Sequence, residues 1–332
     1  MEEMRMASKI RLNLGAALLA LAMGSAAYAA DTIHLKWAHV YESDEPFHRQ
    51  ALWAAEEIAR RSNGGIDIKV FPAAQLGTEN QLNDGLGLGT IDIIYTGAAF
   101  AGTVYPPISI AHAPYVFRDY EHWQAYRASP LFAKLGRAYH DTTGHEVVAL
   151  TYYGQRHLTA NRAINTPEDM RGMKLRIPPV PVFLVLTKAT GAVATPIAFA
   201  DVYDALRQGK VDGQENPLPT IKAKKFDEVQ SHIMLTGHVT DSLLTLVGGH
   251  IWNGLADDQK TLVTDVLRQA AERASEEIRQ SERELPDQFR AEGLTVVDVD
   301  RQPFFDAVRP LLTEWLLENA LSIADFDTIQ GL

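Results

Sequence analysis

Short apolar runs alternate with helical stripes along most of this chain, and that alternation restricts it to layered α/β folds. Residues 33–38, 66–71, 91–95, 146–153 and 173–177 are brief and apolar, as buried strands are. Between the first two, residues 47–61 carry apolar side chains at 51, 52, 54, 55, 58 and 59, one face of a helix, and stop at Ser62-Asn63-Gly64-Gly65. Residues 80–86, 121–139, 182–190 and 199–207 read as further helices. Strands separated by helices imply largely parallel, doubly wound sheets, which bind ligands beyond the carboxyl ends of their strands. His39 to Glu42, Thr96-Gly97 and Gly154 to Arg156 follow strands, so they carry the first weight as site positions.

Residues 257–291 break the alternation. They contain no glycine, and Leu262, Val266, Ala270, Ala274 and Ile278 form a stripe at a spacing of four. The pattern predicts one long helix, kinked at Pro286, suited to act as a strut between two domains. A chain of 332 residues is long enough for two.

The first 29 residues read as a secretory signal peptide. Arg5, Lys9 and Arg11 open it, an apolar run follows over 12–22, and Ala27-Tyr28-Ala29 is a small-x-small cleavage site. The apolar run is too short to cross a bilayer, so direct membrane insertion is not expected. Cysteine is absent, which removes thiolate nucleophiles, Cys-bound zinc and Fe–S clusters. The formal charge of −11 argues against nucleic acid and anionic membrane surfaces as partners. Losing a leader with three positive and two negative charges takes it to about −12. An anionic ligand would therefore be held by local positive groups against a repulsive background.

No catalytic motif emerges: Gly-x-Ser-x-Gly, Ser-x-x-Lys and His-Glu-x-x-His are all absent. Gly85-Leu86-Gly87-Leu88-Gly89 precedes a strand instead of following one, so it reads as a turn and not as a nucleotide loop. His39, Glu42, Asp44 and His48 match no compact metal loop. No cofactor and no metal are expected. Arg176 stands out, within the apolar run Lys174-Leu175-Arg176-Ile177-Pro178. A charge there is costly unless paired. Two readings stand open from the residues alone: an internal Arg–carboxylate pair, or a fork waiting for a planar anion. Arg156, in Gly154-Gln155-Arg156, poses the same choice. Asn216, before Pro217, is held extended and can present its amide sideways, and Phe199 can wall a pocket.

Ordered motifs along the chain then converge. They include Leu35-Lys36-Trp37-Ala38-His39, Val70-Phe71-Pro72-Ala73-Ala74-Gln75-Leu76-Gly77, Ala113-Pro114-Tyr115-Val116-Phe117, Met170-Arg171-Gly172-Met173-Lys174-Leu175-Arg176, Pro196-Ile197-Ala198-Phe199-Ala200-Asp201 and Val211 to Pro217. Together they resemble the extracytoplasmic solute-binding proteins of tripartite ATP-independent periplasmic (TRAP) transporters, the DctP-like group. The resemblance implies a two-lobed α/β periplasmic-binding-protein fold with a long domain-spanning helix. It assigns 30–153 plus 242–281 to one lobe and 154–241 plus 282–332 to the other. It implies that Arg176 holds a ligand carboxylate, that Asn216 helps fix it, that Phe199 lines the pocket and that Arg156 is a second contact.

Sialic-acid-binding members carry Asn where this chain has Val40 and Glu where it has Gly97, while Glu79 matches an acidic position of that branch. Trp37, His39, Tyr41, Tyr95, Tyr152 and Tyr153 offer aromatic walls with polar tips. These features favour a hydroxylated or keto monocarboxylate, such as a sugar acid, with a C4-dicarboxylate as the alternative. The expected protein is a monomeric periplasmic capture subunit of a Gram-negative bacterium, not an enzyme, delivering its ligand to the TRAP membrane permease. A periplasmic enzyme or a chemosensory binding protein for organic acids is the rival.

Overall fold

The computed structural model describes residues 32–319 and 321–332. The leader falls outside them. His34–Leu332 forms one compact unit.

Among the described residues nine strands make a single sheet. They are β1 (Ile33–Ala38), β2 (Ile66–Phe71), β3 (Ile93–Gly97), β4 (Glu146–Ala160), β5 (Lys174–Ile177), β6 (Val193–Pro196), β7 (Gly213–Pro217), β8 (His232–Val247) and β9 (Thr295–Val297). The order is β2-β1-β3-β8-β4-β7-β5-β6, with β9 beside β8. The sheet is mixed, which corrects the largely parallel expectation. β1 pairs with β3, and β5 with β6 and β7, in parallel, whereas β8 runs antiparallel to both β3 and β4.

The two long strands organise everything else. The first part of β4 and the second part of β8 sit with β3, as in Glu146↔Val247 and Ile93↔Val247. The rest of β4 pairs with β7, and the rest of β8 with β9. Two half-sheets therefore share β4 and β8. The β4–β8 register shifts twice where the halves meet, between Tyr152 and Gly154 and between Arg156 and Leu158. A bulge leaves backbone N–H groups without ladder partners. Here Tyr152 N–H donates to Ser275 Oγ at 2.9 Å, and Gln155 N–H donates to a Glu282 carboxylate oxygen. Gly154 takes φ +115°, and a Cβ there would come within 2.9 Å of both Glu282 Oε1 and Pro217 Cβ, so only glycine fits.

The acceptors for that bulge come from the long helix. Numbering helices in chain order, α1 is Pro46–Arg61, α2 Glu79–Leu88, α3 Ala98–Ala101, α4 Tyr120–Ala128, α5 Pro130–Thr143, α6 Leu184–Thr190, α7 Val202–Arg207, α8 Leu218–Ala223, α9 Gly249–Trp252, α10 Asp257–Ala291, α11 Gln302–Glu318 and α12 Ile323–Gln330. At 35 residues α10 spans about 52 Å. It buries Val266, Ala270, Ala274 and Ile278 against β4 and α1, and Leu285 and Phe289 further along. Pro286 lies inside it without ending it.

The expected helix over 121–139 is two helices. Pro130 has no N–H to give, so α4 stops, and Ser129 caps α5 by accepting from Phe132 N–H at 3.2 Å. The glycine run belongs to the end of α2 and its left-handed cap, Gly89 at φ 72°. Gly85 is small because a Cβ would meet Ile91 Cδ1 at 2.8 Å.

Candidate functional site

The strand run from Gly213 to Pro217 is wholly buried although Gln214, Glu215 and Asn216 are polar. Such residues survive inside a protein only with partners, and Arg156 of β4 supplies most of them. Its Nε donates to Glu215 Oε2 and its Nη2 to Glu215 Oε1 at 2.7 Å. Nη2 also reaches the Glu215 carbonyl at 2.8 Å and Asn216 Oδ1 at 3.2 Å, and Nη1 reaches Asp241 Oδ2 at 2.8 Å. His238 Nε2 lies 3.2 Å from Glu215 Oε2, and His112 Nδ1 lies 2.8 Å from Asp241 Oδ1. Burial alone would push both carboxyls up. The Arg156 charge outweighs it at Glu215, and His112 with Arg156 does so at Asp241, so Glu215 falls to about 2 and Asp241 below its ordinary value. Of the two readings open for Arg156, the structure shows the internal pair.

Arg176 is the opposite case. It is 1% exposed, and its Nε and Nη2 both donate to the Ile197 carbonyl, at 2.9 and 2.7 Å. Among the described residues no carboxylate forms an ion pair with it, and its buried Nη1 has no partner. Parallel pairing of β5 with β6 places this carbonyl, since Arg176 faces Thr195 and the chain continues through Pro196 to Ile197. Burial lowers the Arg176 pKa to about 10 against the opposing pull of Glu215, so the group stays charged at neutral pH.

Both arginines line a cavity of about 110 Å³. Asn216, Phe199, Glu79 and Tyr153 line it too, as do Val40 and Gly97. Glu79, the first residue of α2, accepts from Gly97 N–H at 2.7 Å and Thr96 Oγ1 at 3.0 Å, and burial raises it to about 7. Asn216 donates to Gln214 Oε1 at 2.6 Å.

Trp37, His39 and Tyr95 stand elsewhere. They are fully buried behind Tyr41, with Trp37 4.9 Å from Tyr95, and His39 5.9 Å from both Tyr41 and Tyr95, ring to ring. His39 Nε2 meets His48 Nδ1 at 3.2 Å. Tyr152 faces away from the cavity, as strand alternation requires of a neighbour of Tyr153, and donates to Glu282 at 2.8 Å. Arg156 lies within β4 and not beyond its end, because the strand runs on to Ala160. Tyr41, named above as a wall, joins the lining, whereas His112, Phe183 and Asp241 carried no signal in sequence. They come from segments with no strand-end motif and meet only through the fold.

A mixed α/β sheet in two halves, with a charged cavity at their shared strands and a long helix across them, is the architecture of an extracytoplasmic solute-binding protein. The family of bacterial extracellular solute-binding proteins, family 7, matches residues 37–319, and the chain belongs to it. The sialic acid-binding periplasmic protein of Vibrio cholerae is 31% identical over 90% of this chain and 92% of its own. A TRAP periplasmic solute-binding protein from Polaromonas sp. JS666, solved with D-erythronate, superimposes with a TM-score of 0.86 at 28% identity, covering 90% of this chain and 99% of that one. Another from Roseobacter denitrificans, solved with L-galactonate, gives 0.84 at 29%, covering 91% and 99%. The fold is thus the two-lobed periplasmic-binding-protein fold with its long helix.

Proposed function

We propose that this chain is the periplasmic capture subunit of a TRAP transporter and binds a small hydroxylated monocarboxylate of the sugar-acid class. The carrying observation is Arg176, a buried guanidinium whose one edge is occupied by the Ile197 carbonyl while Nη1 stays unpartnered on the cavity wall. A ligand carboxylate on the Nη1–Nη2 edge would supply the missing anion through parallel charge-assisted bonds. Asn216 would donate to the same group, with Phe199 and Tyr153 as walls.

Ligand size and charge narrow the class. A cavity of about 110 Å³ suits a small acid. Val40 and Gly97 offer no polar side chain, which disfavours sialic acid. Arg156 already donates to Glu215 and Asp241, so a second ligand carboxylate would lack a free cation, which disfavours a dicarboxylate. D-Erythronate and L-galactonate, bound by similar proteins, are acids of the expected kind.

The mechanism is capture. Residues 30–153 plus 242–281 and 154–241 plus 282–332 would form lobes hinged where β4 and β8 shift register. Closure would exclude water and strengthen the Arg176 bond in the drier site. The loaded protein would then dock on the membrane permease. Thermal unfolding of residues 30–332 against aldonates, uronates, keto acids, dicarboxylates and neutral sugars tests the reading. A true ligand at 100 times its Kd should add about 2.7 kcal/mol of stability. Stabilisation by neutral sugars alone would sink it.

A further inference from the structure

Two atoms on the cavity wall are buried polar groups without a partner among the described residues: Arg176 Nη1 and His112 Nε2. His112 closes the short 3-10 turn Pro106–His112 and is 2% exposed. Its ring is held at 4.4 Å from Phe183, and Nδ1 is tied to Asp241 at 2.8 Å. Asp241 is fixed in turn by Arg156 Nη1 at 2.8 Å and Ser242 N–H at 2.7 Å. A carboxylate only accepts, so Nδ1 carries a proton toward Asp241, and in the singly protonated ring Nε2 is a bare lone pair. His112 also borders an adjoining cavity of about 10 Å³. That space is at the lower limit for one water, and Pro114, Ile177, Val182 and Leu186 wall it together with the polar Glu215 and His238.

We infer that His112 determines specificity by accepting a hydrogen bond from a ligand hydroxyl at Nε2, selecting hydroxy acids over their deoxy and keto counterparts. The inference rests on the carboxylate-capture reading: Arg176 anchors the acid and His112 reads its hydroxyl. A hydroxyl donates to a lone pair, and a carbonyl or methylene cannot.

The test is calorimetry of wild type and His112→Asn with D-erythronate, L-galactonate and the single-deoxy analogues of each. Asn keeps a donor for Asp241 while removing the ring and its Nε2 acceptor. In wild type, one deoxy position should cost about 10- to 100-fold in affinity, the span for leaving a buried acceptor unpaired. In His112→Asn the parent acid should weaken by a similar factor and the deoxy–hydroxy ratio at that position should approach one. Equal ratios in both proteins at every position would overturn the inference. Nitrogen-15 NMR of the wild-type ring gives a readout independent of the variant's folding: Nε2 should shift on adding the acid while Nδ1 stays protonated, and an unmoved Nε2 would also overturn it. Binding of plain and hydroxylated carboxylates with equal affinity would remove His112's role alone. No carboxylate binding at all would remove the capture reading and this inference with it.

Discussion

The guanidinium of Arg176 and the carbonyl of Ile197 meet edge-on, with Nε at 2.9 Å and Nη2 at 2.7 Å from the same oxygen. A neutral carbonyl orients the fork without neutralising it. The arrangement holds a buried charge in place and leaves it electrostatically unsatisfied, a state that favours a ligand over the empty protein.

Truncating that charge should separate binding from stability. Arg176→Ala is expected to lose roughly 2–5 kcal/mol of acid binding, the range for removing one partner of a buried charge pair. Arg176→Lys should also bind weakly, because a point charge cannot reproduce the fork. Arg176→Met should unfold at the wild-type temperature or above without ligand, since it removes an unpaired buried charge. Calorimetry and thermal melts on the same preparations check both halves.

Arg156 should behave as a structural residue. Arg156→Ala leaves Glu215 and Asp241 buried without their shared cation, at an expected cost of roughly 3–5 kcal/mol in stability. Urea unfolding of the ligand-free variant measures this. Wild-type stability with selectively lost binding would instead make Arg156 a ligand contact.

A half-buried ion pair lies beside the cavity-lining Phe199. Lys224 Nζ lies 2.6 Å from Glu42 Oε1 and 5.0 Å from the Phe199 ring centroid, and Phe199 faces Tyr41 at 6.2 Å. If this pair latches a closed form, Lys224→Ala should raise the ligand dissociation rate about two- to five-fold, equivalent to roughly 0.5–1 kcal/mol, as for a partly exposed pair. Added salt should do the same to wild type. Stopped-flow displacement reads the rate, and an unchanged rate would dismiss the latch.

Glu45 should give stability a pH dependence. It is 1% exposed, accepts from Thr220 Oγ1 at 2.8 Å and Glu42 N–H at 2.7 Å, and burial raises it from 4.5 to about 7. The folded protein thus binds this proton more tightly than the unfolded chain, so the contribution is fully present below pH 4.5 and lost as pH rises to about 7. Glu45→Gln, which cannot ionise, should gain on wild type across that window, by on the order of 3 kcal/mol, and the gain should level off above it. Denaturant melts at pH 4.5, 6 and 8 check the sign; a difference independent of pH would place the Glu45 proton elsewhere.

Patterns of one strand or one helix were legible in sequence. The apolar runs at 33–38 and 66–71 and the stripe from Val266 to Ile278 became β1, β2 and α10, because local periodicity reports which face is buried. The cost of a charge beside Leu175 and Ile177 was legible too, and it singled out Arg176. Partner choice was not. Arg156 and Arg176 look alike as residues, yet one meets Glu215 and Asp241, 59 and 85 positions away, and the other meets only a carbonyl. The extension of β4 past Gly154, the antiparallel run of β8 and the arrival of His112 beside Asp241 likewise depend on contacts between distant segments. Sequence by itself determined where apolar faces and costly charges lie, since burial acts on each residue locally. Tertiary structure alone decided which charges cancel, because an ion pair is a property of distance between side chains and not of either one.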